Sequence, residues 1–273
     1  MKKISIRDLD FLDTPRKKGT CKQCCKVCLG RETLAYIETK SLPLRDKPEE
    51  SYDAEITAFR KLGVHENIVT FFGEIDFGDN KGPNAFLTEF CPTSLKDFVE
   101  ADPSNAERMR VSLEIISGLA YIHSKNLIHL DIKPENVMLD SSNTAKIIDF
   151  DLAVSSTNPR DWKGTGTEQY MAPEVLENFT AEWRKSSMAT TTKADVYSLG
   201  GVLLYVFTGH EPYDEDDESD MSDLVETGPP DDLKNVPLNV RGIVSSCFEV
   251  HPDKRPSARD VLTVFSKLMT IDK

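Results

Sequence analysis

The chain has 273 residues, of which 39% are hydrophobic and 29% charged, and its formal charge is −13. That suits a globular chain with one large domain or two small lobes, and so acidic a surface argues against nucleic-acid and acidic-membrane partners. No apolar run approaches the roughly 20 residues of a membrane-spanning helix, and "MKKISIRDLDFLD" lacks the apolar stretch of a signal peptide, so a cytoplasmic, intracellular setting with reduced cysteines is expected.

The first third reads as strands. "LAYIETKSL" and "IVTFFGEIDF" are rich in β-branched and aromatic residues, and "NAFLTEFC" resembles a buried strand. Between the first two, "ESYDAEITAFRKL" carries Ile56, Phe59 and Leu62 at helical spacing. The remainder reads as helices. "ERMRVSLEIISGLAYIHS" is amphipathic, "DVYSLGGVLLYVFTG" is apolar enough to be buried on all sides, and "ARDVLTVFSKLM" closes the chain. The expected fold is α+β, with a small β-rich lobe over about 1–90 and a larger helical lobe over about 91–273 in a single domain of 1–273. The junction falls just after Glu89. The acidic run "YDEDDESDMSD" reads as a solvated loop, with docking of a basic partner at 214–223 as the sharper alternative.

The chemistry concentrates in "LIHLDIKPENVMLDSSNTAKIIDFDLA". Two strand-like runs, "NVML" and "AKIID", are joined by the turn-rich "DSSN". Asp131, Lys133 and Asn136 stand before the first run and Asp149 after the second. A hairpin would bring Asn136 and Asp149 together as oxygen ligands for Mg²⁺. Asp131 is then the carboxylate that accepts a proton, and Lys133 the cation that neutralises a transferred phosphoryl group.

These residues resemble a protein kinase domain. "HLDIKPEN" is similar to the family's catalytic loop, with Asp131 as base and Asn136 as metal ligand. "DFD" stands where the family has D-F-G, with Asp149 as the main magnesium ligand. "YMAPE" resembles the A-P-E element, whose acid, Glu174, has a suitable partner in Arg255. "DVYSLG" resembles the start of the central helix, where Asp195 holds the catalytic-loop backbone. Thr88 takes the gatekeeper place, Glu89 to Cys91 offer backbone groups to adenine, and Glu55 matches the helix glutamate that pairs with a strand lysine. Lys133 and Thr167 look like the serine/threonine class. The resemblance runs from about Gly19 to Leu268 and implies ATP and Mg²⁺ as cofactors and protein Ser/Thr hydroxyls as substrate.

Several positions depart from the pattern. With Val27 as the valine that caps adenine, the three glycine positions of the phosphate loop fall on Thr20, Lys22 and Cys25, so "TCKQCCKVCL" replaces that loop. Its cysteines, Cys21, Cys24, Cys25 and Cys28, form two abutting C-x-x-C pairs. Closing them round zinc or copper(I) conflicts with a strand hairpin, and ordinary reduced thiols are the favoured reading. Lys22 and Lys26 are placed to attract phosphate there. The strand lysine is either absent, with Ile37 in its place, or supplied by Lys40, the preferred choice. That choice turns Glu38 the same way as Lys40. Leu130 replaces the H-R-D arginine, which puts activation through phosphates at Ser155, Ser156, Thr157 or Thr165 in doubt. Asp151 replaces the D-F-G glycine. The expected function is a serine/threonine kinase, and the alternative is a pseudokinase acting as a binding or allosteric scaffold.

Overall fold

The alternation in "KQCCKVCL" and "ETLAYIET" becomes a hairpin. In the computed structural model, which describes residues 3–12, 17–18, 22–39, 48–78, 82–157, 167–180, 191–213, 225 and 228–271, β4 (Lys22–Leu29) and β5 (Glu32–Thr39) pair antiparallel without a register slip. Gly30 turns the chain between them at φ +62°, a left-handed conformation that glycine adopts without steric cost. Three short strands precede the hairpin: β1 (Lys3–Ser5), β2 (Asp10–Phe11) and β3 (Lys17–Lys18). After it come α1 (Pro48–Leu62), β6 (Phe71–Asp76) and β7 (Ala85–Glu89). The strands form one sheet in the order β1-β6-β7-β5-β4-β2, with β3 also on β4. β1 runs parallel to β6, from Lys3↔Glu74 to Ser5↔Asp76.

The sheet has two apolar faces because its side chains alternate. On the outer face Cys25, Val27, Leu34, Tyr36, Ala85 and Leu87 pack with Ile4 and Leu9. On the inner face Ile37 and Phe86 meet α1 and the main core. Phe59 on α1 stacks on Phe71 with ring centroids 5.0 Å apart and meets Phe150 edge-on at 5.3 Å, and Phe150 in turn lies 5.0 Å from His129. This aromatic column runs from the sheet into the helical lobe.

The second lobe begins at β8 (Thr93–Ser94) and α2 (Leu95–Glu100). The 20-residue α3 (Asn105–Ser124) starts with a capping box, in which Ser104 and Glu107 satisfy each other's backbone N–H groups. There follow β9 (Leu127–Ile128), β10 (Val137–Leu139), β11 (Ala145–Ile147) and β12 (Val154–Ser155). The helices after them are α4 (Pro173–Thr180), α5 (Thr192–Thr208), α6 (Leu238–Cys247) and α7 (Ala258–Ile271). All positions of α5 from Ala194 to Val206 are buried, as its composition predicts. Gly118 on α3 lets the helix approach the Asn67 carbonyl, where a Cβ would stand at 2.7 Å; that carbonyl accepts the Ile147 N–H at 3.0 Å. Together with the parallel bridge Ile68↔Ile147, this ties the lobes beside the β10–β11 hairpin. The fold is the expected α+β arrangement of a β-rich and a helical lobe.

Candidate active site

β10 and β11 pair antiparallel, Val137 opposite Ile147, and the Ile148 N–H donates to the Asn136 carbonyl at 3.0 Å. The polar residues that bracket these runs therefore converge. Asn136 donates from Nδ2 to the Asp131 carbonyl at 2.8 Å and to Asp131 Oδ2 at 2.7 Å. Lys133 Nζ lies 2.9 Å from the same Asp131 oxygen and donates to Thr167 Oγ1 at 3.0 Å. Asp131 is thus a carboxylate held by an amide and an ammonium, with a threonine hydroxyl beside the cation.

The loop carrying Asp131 is fixed from α5. Asp195, 1% exposed, accepts the N–H groups of His129 and Leu130 at 2.8 Å each, and lies 2.9 Å from His123 Nε2. Leu130 has φ +66°, a left-handed backbone costing a branched residue roughly 1–2 kcal/mol. Two charge-assisted bonds, each contributing about 1.5–3 kcal/mol, outweigh that cost. His129 accepts the Asp131 N–H at Nδ1 and donates from Nε2 to the Ile148 carbonyl, linking the loop to the segment that carries Asp149. Glu174 is held by Arg255 through two bonds of 2.7 and 2.8 Å in full burial, the pairing the sequence suggests.

A third group of charges lies where the lobes meet. Glu55 on α1, 2% exposed, accepts the Phe150 N–H at Oε1 (3.2 Å) and faces Lys22 Nζ at Oε2 (2.8 Å). Lys22 also donates to Asp149 Oδ1 at 2.5 Å. Burial works against the charge on Lys22. Glu55, Asp149 and Asp151 together overcome that and hold the ammonium above the usual lysine range. Burial likewise opposes ionisation of Asp149, but Lys22 outweighs it and keeps that carboxyl below its usual range. Burial pushes the Glu55 carboxyl up to about 7, against the pull of Lys22.

The "Protein kinase domain" profile matches residues 18–264. This chain belongs to the protein kinase family. The kinase domain is 31% identical over 261 residues to the MAP kinase kinase kinase wis4 of Schizosaccharomyces pombe, covering 86% of this chain and 18% of that protein. It is 29% identical over 205 residues to the RGS domain-containing serine/threonine-protein kinase A of Dictyostelium discoideum, covering 73% and 17%. It is 29% identical over 238 residues to human mitogen-activated protein kinase kinase kinase 5, covering 83% and 17%. The chain spans less than half the length of the curated relatives it matches. Membership of the family implies ATP and a divalent metal in general.

One expected nucleotide contact of the kinase domain is revised, and another lies outside the described residues. Val27 is fully buried on the outer face of the sheet beside Leu34, so its side chain does not reach the cleft. On β4 the inner face carries the even-numbered residues: Lys22, Cys24 opposite Ile37, and Lys26 opposite Ala35. Lys26 Nζ lies 4.8 Å above the Phe90 ring. The partner expected for Glu55 was Lys40, which falls outside the described residues; among the described residues Lys22 meets Glu55. Glu38, which the Lys40 frame turns toward the nucleotide, is instead on the outer face and accepts from Tyr36 Oη at 3.1 Å. Counting back from Val27 had put the phosphate loop on residues 20–25. The described part of that stretch is strand β4, and Gly19 to Cys21 lie outside the described residues. The signal for Lys22 was its place among alternating residues of a strand, obscured by the cysteines around it.

At the hinge, Thr88 pairs with Ala35 on the inner face, and its hydroxyl donates to the Glu89 carbonyl at 3.2 Å. The Glu89 carboxylate is drawn away to the Thr70 N–H (2.7 Å) and Lys146 (3.3 Å). Burial pushes the Cys91 thiol up to about 12, so it stays protonated and unreactive. Cys24, Cys25 and Cys28 form no disulfide, and the strand points neighbouring cysteines to opposite faces. Among the described residues no cluster of His, Cys, Asp or Glu could hold a metal ion, and Cys21, the fourth member of the cysteine cluster, lies outside them. Asp151 needs no left-handed backbone; in this segment it is Asp149 that has φ +65°. The acidic run at 214–223 lies outside the described residues.

Proposed function

We propose that the chain is an active serine/threonine protein kinase that transfers the γ-phosphate of ATP to protein hydroxyls. The observation that carries this reading is the Asp131–Lys133–Thr167 chain, with Asn136 bracing Asp131 from the other side. Asp131 accepts the proton of the substrate hydroxyl. The hydroxyl oxygen bonds to the γ-phosphorus as the bond to the bridging oxygen breaks, and ADP leaves with that electron pair. Lys133 offsets negative charge on the transferred group, and Thr167 keeps its ammonium beside Asp131.

The donor set fits a divalent cation. Nδ2 of Asn136 is bound to Asp131, which leaves Oδ1 for a metal. The Asp149 carboxylate already attracts a cation, the Lys22 ammonium. Magnesium held by Asn136 and Asp149 would neutralise phosphate charge. The Lys22–Asp149 contact also favours a second reading, in which the ammonium stands permanently in the metal's place and the domain is a pseudokinase scaffold.

Phosphate transfer from radiolabelled Mg·ATP to a generic basic protein separates the two. The expected result is incorporation that Asp131→Asn lowers at least about 100-fold, with Mg·ADP affinity unchanged. Native protein that binds Mg·ADP but transfers nothing overturns the catalytic reading in favour of the scaffold.

A further inference from the structure

The family reading calls for a lysine on the strand next to the hinge strand, paired with Glu55. That strand is β5, and its inner-face positions are Ala35, Ile37 and Thr39. None carries a charge. The neighbouring strand supplies one instead. Lys22 begins β4 on the same face, opposite Thr39, and its ammonium lies 2.8 Å from Glu55 and 2.5 Å from Asp149. Only 14% of its side chain is exposed, so a flexible surface lysine does not describe it.

We infer that Lys22 is the residue that anchors the nucleotide's α- and β-phosphates, delivered from β4 in place of a lysine on β5. This deepens the kinase reading and rests on it. Two features of the charge arrangement support it. The ammonium faces three carboxylates, Glu55, Asp149 and Asp151. Asp149 and Asp151 alone outnumber the single ammonium, before any charge on Glu55, and leave the site negative and receptive to further positive charge. When a metal takes Asp149, the ammonium loses one partner, keeps Glu55, and gains freedom to turn to phosphate oxygens. The second feature is geometric. Ile37 faces the cleft opposite Cys24, two residues along β4 from Lys22, so positions 37 and 22 share one face of adjacent strands. An ammonium on either can reach Glu55, which accounts for its loss from β5 without loss of the pair.

The test is calorimetric titration of the native chain, Lys22→Met and Lys22→Met/Ile37→Lys with Mg·ADP and, separately, with adenosine. A phosphate anchor predicts that Lys22→Met weakens Mg·ADP at least about tenfold while adenosine affinity stays within about twofold. The double variant, which returns the lysine to β5, is expected to recover most of the Mg·ADP affinity. It also restores a cation to the acidic cluster, so it serves if the single variant fails to fold. Unchanged Mg·ADP affinity in Lys22→Met, equal loss of adenosine and Mg·ADP binding, or a folded double variant with no recovery overturns the inference. A native chain that binds neither ligand refutes the kinase reading itself.

Discussion

Replacing Arg255 by methionine tests how far the helical lobe depends on one buried ion pair. All five guanidinium N–H donors are engaged. Two meet the Glu174 oxygens, and the others reach the carbonyls of Glu249 (2.6 Å), Lys193 (3.0 Å) and Val250 (2.9 Å). The guanidinium also stacks 5.0 Å from the Tyr197 ring. The side-chain exposures are 0% for Arg255 and 1% for Glu174, so solvent screening is weak. Methionine fills most of the volume but removes the two donors that meet the Glu174 carboxylate and the three that meet the carbonyls. Breaking a buried pair from one side costs about 3–5 kcal/mol. At about 2–4 °C per kcal/mol for a domain approaching this size, Tm falls by roughly 6–20 °C. Arg255→Lys keeps the charge but not the two-pronged contact, and falls between. Thermal melts by circular dichroism measure this, with the exposed Arg259→Met as control. A drop below about 2 °C for Arg255→Met would refute the reasoning, because it would mean that Glu174 finds water or another donor without cost.

Glu55 gives a prediction with a definite sign. Its carboxyl is pushed from 4.5 up to about 7 by burial. Between those values the folded chain keeps a proton the unfolded chain has released, so ligand-free stability falls as pH rises through that window. Glu55→Gln should remove the decline in melts taken at pH 5 and pH 7, and a native-like decline in the variant would contradict the assignment. Thr167→Ala removes the hydroxyl that accepts from Lys133. Steady-state kinetics should show kcat lowered by about five- to twentyfold with KM for ATP unchanged, a loss of roughly 1–2 kcal/mol; an equal rise in KM would place Thr167 in nucleotide binding instead.

The long helices and the β10–β11 hairpin were legible because their signals are local. α3 and α5 declare themselves by periodicity and by an unbroken apolar run, and Asp131, Lys133, Asn136 and Asp149 bracket two short strands within twenty residues. The sheet lobe was less legible. Which face a strand residue takes depends on pairing with distant partners, and an error of one residue inverts every assignment. Val27 was assigned to the cleft by counting from a motif, yet its register opposite Leu34 turns it outward. The same inversion hid Lys22, whose two acidic partners come from α1 and from the segment after β11, 33 and 127 positions away. The alternation along β4 gives the face of Lys22 but not the partners it meets there.

The first strand has a practical consequence. β1 covers the free edge of β6 through three parallel register positions, Lys3 to Ser5, and adds Ile4 to the outer apolar face. A fragment beginning at Leu9 would leave β6 as an open template of unpaired N–H and C=O groups above an exposed greasy patch. Such an edge invites strand-to-strand association, so trimming those few residues would promote aggregation while every group in the cleft remained in place.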